Sequence, residues 1–143
     1  MCGIAGIVAP DARRYRDRLQ RMTDALAHRG PDGQGHHFSH GCALGHRRLA
    51  IVDIEGGHQP MCSADGHLAI TFNGEIYGYQ DLRRQLADYP FQTRSDTEVI
   101  LALYQRHGES ALEYLPGMFA FALWDESGQQ LLCARDRFGE KPL

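Results

Sequence analysis

The chain has 143 residues, 43% of them hydrophobic and 23% charged, which is ordinary globular composition with room for one domain around one core. A formal net charge of −3 without a long Lys/Arg run excludes the basic surface that nucleic acid or an anionic membrane requires. No segment reaches the ~20 apolar residues of a membrane span, and the apolar opening lacks a basic n-region and runs into Pro10-Asp11, so Cys2, Cys42, Cys62 and Cys133 read as reduced thiols of a cytoplasmic protein.

Residues 2 to 8 are small and β-branched and predict a buried strand with Cys2 at its head. Tyr15, Leu19, Met22 and Leu26 recur at helical spacing within 13–27, with the arginines of Arg13-Arg14-Tyr15-Arg16-Asp17-Arg18 on a solvated face and Gly30-Pro31 as the stop. From Gly35 to Asp53 two or three short extended pieces end in the apolar strand Leu49-Ala50-Ile51-Val52, and a glycine-rich loop covers Glu55 to Gln59. Asp65-Gly66 turns into a strong strand, Leu68 to Phe72, which runs straight into Asn73-Gly74-Glu75. A short helix over 79–88 carries Leu82 and Leu86. Ser95-Asp96-Thr97-Glu98 is a capping box opening a second helix, with Val99, Ile100, Leu103 and Tyr104 inward and Gly108 as its stop. Met118 to Trp124 and Gln130 to Ala134 flank Asp125-Glu126-Ser127-Gly128 as a hairpin whose strands are apolar enough for cover on both faces or nearly so. Successive strands with helices laid over them predict α+β layers.

The chemistry begins at Met1-Cys2. Methionine aminopeptidase removes a methionine that precedes a residue as small as cysteine. Cys2 then carries both a thiol, near ~8.5 when unperturbed, and a free α-amine that titrates near ~7.7–8.0 and can serve as general base. Nucleophile and base would share one residue. Asn73-Gly74 reads in two ways. It is a common turn pair, and its amide and backbone N–H are also the two neutral donors that an acyl-transfer oxyanion needs. Arg48, beside Arg47 at the head of Leu49–Val52, either caps a sheet edge or binds a carboxylate through two parallel hydrogen bonds. Asp96 either satisfies a helix dipole or, with an arginine held at a distance, clamps an amino-acid zwitterion.

His36, His37, His40, Cys42 and His46 lie within eleven residues and raise the question of a metal. Extended backbone places His36 and His40 roughly 13 Å apart, alternation sends His36 and His37 to opposite faces, and no Cys-x-x-Cys completes a closed zinc site. The expectation is therefore no metal.

Met-Cys-Gly-Ile-Ala-Gly-Ile-Val at 1–8, His28 to Gly33, Gly45 to Asp53, Phe72 to Tyr77, Ser95 to Glu98 and Arg135 to Leu143 together resemble class II glutamine amidotransferase domains. The resemblance is nearest to the glutaminase half of glutamine-hydrolysing asparagine synthetases and covers essentially the whole chain in order. It implies an N-terminal-nucleophile hydrolase of two stacked antiparallel sheets between helical layers, αββα. It also implies that Cys2 is the nucleophile, that the Asn73 amide and Gly74 N–H form the oxyanion hole, and that Arg48 holds the glutamine α-carboxylate and Asp96 the α-ammonium. Ile51, Val52 and Glu75 would line or bond the pocket. The glutaminase step would use no cofactor. ATP and magnesium belong to a synthetase domain with a Ser-Gly-Gly type pyrophosphate loop, which such chains carry downstream.

Residues 1–143 are thus expected to form a class II glutaminase domain cut before its last strands and before its partner synthetase domain, with an open edge prone to association. Two alternatives stand beside the glutaminase: an inactive truncated domain that only binds glutamine or a partner, and a His-rich metal-binding module.

Overall fold

Gly3-Ile4-Ala5-Gly6-Ile7-Val8 alternates small and branched residues and forms strand β1 (Gly3–Val8) in the computed structural model, which describes residues 1–143. After a 3-10 turn at Ala12–Tyr15 comes helix α1 (Arg16–Ala25), then β2 (Gly33–Phe38) and β3 (Cys42–Arg48). β3 is central, pairing antiparallel with β1 on one side and β2 on the other. A second antiparallel sheet follows in the order β4 (Met61–Cys62), β5 (Leu68–Ile76), β6 (Gly117–Asp125) and β7 (Gln130–Arg135). Helices α2 (Tyr79–Gln85) and α3 (Asp96–His107) come between β5 and β6 in the chain, and Gly108 ends α3 at φ 59°, a conformation that suits glycine.

The period-2 alternation of β5 and β6 separates two cores. Ile70, Phe72 and Ile76 with Phe119, Phe121 and Leu123 face α3, where Val99, Ile100 and Leu103 complete the principal core. The opposite face of the same strands presents Ala69, Ala122 and Trp124 to Cys42 and Leu44 of the first sheet. Small residues there let the two sheets lie close. α1 closes the far side of the first sheet through Leu19 against Ala43, with Ala12 beside them. The layers are helix, sheet, sheet, helix, as the resemblance implies.

Five local expectations are corrected. Leu49 to Val52 is not a strand: β3 ends at Arg48, and Ile51 is 73% exposed in a loop. β5 does not end before Asn73 but runs through Asn73-Gly74 to Ile76, paired with Ala120 and Phe119. Gly74 answers a close approach, since a Cβ there would meet the Met118 carbonyl at 2.2 Å. The proposed helix over 13–27 divides into a 3-10 turn and a shorter α-helix. At α3, Ser95 accepts the Thr97 N–H at 3.2 Å, but Glu98 does not reach back to Ser95. Its carboxylate takes the N–H groups of Gln92 and Thr93 and the Thr93 hydroxyl, because the loop before the helix leaves those donors without other partners. β7 is buried only at Ala134, so the hairpin is covered on both faces along β6 alone.

Candidate active site

Cys2 stands immediately before β1. Its backbone carbonyl accepts the Arg29 Nε–H at 3.0 Å, and its Sγ accepts the Leu49 N–H at 3.3 Å and faces the Leu49 carbonyl at 3.7 Å. Two glycines allow this fit. A Cβ on Gly3 would strike Leu26 at 2.8 Å, and one on Gly30 would strike the Arg47 backbone at 2.4 Å. The thiol opens into a small solvent-connected cleft of about 90 Å³.

The far wall of that cleft is the edge of β5. Thr71 donates its hydroxyl to Gly45 O on the first sheet, so alternation places Asn73, two residues on, on the same intersheet face. The N–H groups of Phe72 and Ile76 both leave the β5 edge away from β6, to Gln59 Oε1 at 2.6 Å and Asp96 Oδ2 at 3.0 Å. Gly74 lies between them, and by the same alternation its N–H points out over the cleft, past β4, which pairs only with Ala69 and Ile70. Asn73 and Gly74 therefore line the one cleft from a single strand.

Arg48, buried at the end of β3, gathers the loop that follows it. Nη1 donates to the Ile54 carbonyl at 2.8 Å, and Nη2 to those of Val52 and Asp53 at 3.1 and 2.6 Å. Asp53 sits at φ 47° and ties the same loop to Gly56 and Arg94 through its carboxylate. Ile51 and Val52 are thereby held at the cleft. Asp96 is 3% exposed. Burial pushes its carboxyl above the ordinary range, against the N–H groups of Ile76 and Thr97, and the Glu75 carboxylate adds to the rise. A carboxylate disfavoured in this way gains from a cation placed beside it.

The glutamine amidotransferase domain family matches residues 1–143 from end to end. The chain belongs to that family. As an amidotransferase domain it is 43% identical over 145 residues to asparagine synthetase [glutamine-hydrolyzing] 3 of Arabidopsis thaliana, covering 100% of this chain and 25% of that protein. It is 45% identical over 148 residues to asparagine synthetase [glutamine-hydrolyzing] 3 of Bacillus subtilis (strain 168), covering 99% of this chain and 24% of the relative. The chain thus spans about a quarter of the length of these curated relatives. Among solved structures, a glutamine phosphoribosylpyrophosphate amidotransferase from B. subtilis, complexed with ADP and GMP, superposes with a TM-score of 0.70 at 23% identity, over 95% of this chain and 37% of that one. The shared architecture is the N-terminal-nucleophile α+β fold.

In this amidotransferase domain all eight positions singled out from sequence, Cys2, Arg48, Ile51, Val52, Asn73, Gly74, Glu75 and Asp96, line the one cleft. The histidines disperse to separate partners: His36 to Thr23, His37 to Cys62, His40 to Arg13 and His46 to Thr71. No helix is long and apolar enough to cross a membrane. Sequence reasoning missed Gln59, which bridges the loop to Phe72 and to Thr97, and Lys141, which enters the cleft from the end of the chain. Only the motif around Lys141 was visible beforehand, without a role for its side chain.

Proposed function

We propose that the chain hydrolyses the side-chain amide of glutamine to glutamate and ammonia at Cys2. The observation that carries the reading is the thiol at the head of β1 opening into the cleft that Asn73 and Gly74 also line. With Met1 removed, the Cys2 amine takes the thiol proton and Sγ attacks the amide carbon. Negative charge develops on the carbonyl oxygen and is met by the Asn73 amide and Gly74 N–H, donors fixed in advance by strand pairing. The amine returns its proton to the leaving nitrogen and ammonia departs. Water, deprotonated by the same amine, then hydrolyses the glutamyl thioester. Arg48, whose Nη2 is taken up by the loop carbonyls, offers the α-carboxylate its charge and a single N–H, and buried Asp96 receives the α-ammonium. Ile51, Val52 and Glu75 complete the pocket. The step as written draws on this chain and water alone.

The chain matches only about a quarter of each relative named above, which supports a partner synthetase domain in a longer parent protein that uses ATP and magnesium to place the ammonia on a carboxylate, aspartate being the acceptor by analogy. All four cysteines are free, which supports a reducing, cytoplasmic setting.

A glutamine-analogue electrophile tests the assignment. It is expected to label Cys2 and spare the other thiols, because burial raises Cys62 and Cys133 and pushes Cys42 up to about 12, which leaves them protonated at neutral pH. Labelling elsewhere with Cys2 untouched, or no ammonia from glutamine, overturns it.

A further inference from the structure

Lys141 is 8% exposed and lines the cleft with Cys2, Asn73 and Gly74. Its Nζ donates to a single partner, the thioether of Met1 at 3.2 Å. Thioether sulfur is a weak acceptor. Yet the position is firmly built. Asp136 accepts the N–H groups of Phe119, Phe138, Glu140 and Lys141 at 3.0 to 3.3 Å. Burial works to raise the Asp136 carboxyl, but these N–H bonds outweigh it and hold it below its ordinary range. Arg135 adds donors to the carbonyls of Gly139 and Lys141. A lysine needed only for solubility requires no such cradle.

The weak partner is also the one that leaves. Removing Met1 takes the acceptor from Lys141 and creates the Cys2 α-amine in the same cleft. The other cations around Cys2 are already engaged. Arg29 is held on the Cys2 carbonyl and Arg48 on the loop carbonyls, while Asp96 accepts the Ile76 N–H and Glu75 is exposed. Lys141 is the cation left without a partner.

We propose that Lys141 is the positioning residue that sets the charge state of the processed N-terminus. Its ammonium opposes uptake of a solvent proton by the Cys2 amine, so that near neutral pH the amine is free to take the thiol proton, and it stabilises the thiolate which that transfer leaves. The proposal rests on the glutaminase reading above, but its central test does not.

That test follows alkylation of Cys2 by iodoacetamide against pH, without glutamine, in protein whose initiator methionine has been removed. Lys141→Met keeps the length of the side chain and deletes its charge. The pH of half-maximal alkylation is expected to rise by about one unit or more in this variant, and kcat/KM for glutamine at pH 7 to fall about tenfold and recover as pH rises. Lys141→Arg restores the cation and is expected to bring the alkylation midpoint back toward the parent's. If Lys141→Met does not fold, Lys141→Gln supplies the same comparison. An unchanged alkylation midpoint in a folded, uncharged variant overturns the proposal. A parent protein that alkylates normally but releases no ammonia from glutamine overturns the glutaminase reading instead, and the alkylation profiles still decide the role of Lys141.

Discussion

Arg48 has five N–H donors, and three are already committed to the carbonyls of Val52, Asp53 and Ile54. One guanidinium therefore shapes the loop bearing Ile51 and Val52 and also faces the cleft. From sequence, Arg48→Ala reads as a pure binding defect. With the loop contacts in view it is expected to raise the glutamine KM and also lower kcat, since the loop relaxes as the carboxylate contact is lost. Asn73→Ala is expected to lower kcat by about 10²–10³ with a smaller change in KM, because an oxyanion donor acts mainly in the transition state. Steady-state kinetics on the two variants separates the roles, and an Asn73→Ala defect confined to KM would remove Asn73 from the oxyanion hole. Cys2 was legible because its chemistry lies in adjacent residues. Lys141 was not, because it reaches the cleft only through the bonds that gather around Asp136, a contact no spacing rule encodes.

At the scale of elements, the hairpin and the helix opening at Ser95 were readable from turn chemistry and periodicity, and both are present. The apolar run Leu49 to Val52 matched a strand template equally well, yet pairing of Arg48 with its own downstream carbonyls bends it into a loop. Asn73-Gly74 looked like a turn because the pair is common in turns, whereas here glycine admits the neighbouring strand. Glu98 shows what a sequence motif can conceal. It is 2% exposed and anchors the loop ahead of α3 instead of capping the helix reciprocally. Glu98→Ala leaves two N–H groups and a hydroxyl without their acceptor and is expected to cost about 2–3 kcal/mol. That corresponds to about 5–10 °C in Tm for a chain of this size, measurable by calorimetry. A loss under 1 °C would show that water replaces the carboxylate freely.

Across the whole molecule, the layer order was legible from the resemblance and the strand patterns, but the polar contact buried between the sheets was not. His46 is fully buried, its Nδ1 on Thr71 Oγ1 at 3.0 Å and its Nε2 without a partner. Burial, with a smaller contribution from the Arg48 charge, lowers it to about 3. The unfolded chain therefore takes up this proton first as pH falls, and stability held above about 6.5 is lost progressively down to about 3. The loss should reach ~2 kcal/mol by pH 5. Urea unfolding at pH 7 and pH 5 is expected to show it, and His46→Gln to remove most of the difference. An equal pH dependence in that variant would assign the effect to other groups.

The intersheet contact of Cys42, Leu44, Ala69, Ala122 and Trp124 is much smaller than the core beneath α3. Cys2 belongs to one side of this seam, and Asn73 and Gly74 to the other. Turnover is thus a gauge of alignment between two separately supported plates, and the gauge should fail before either plate melts. In rising urea, ammonia release is expected to vanish at a lower concentration than the far-UV circular dichroism transition, and amide exchange to appear first in β1 and β3. If activity and ellipticity fade along one curve, the two sheets part only when the whole chain does.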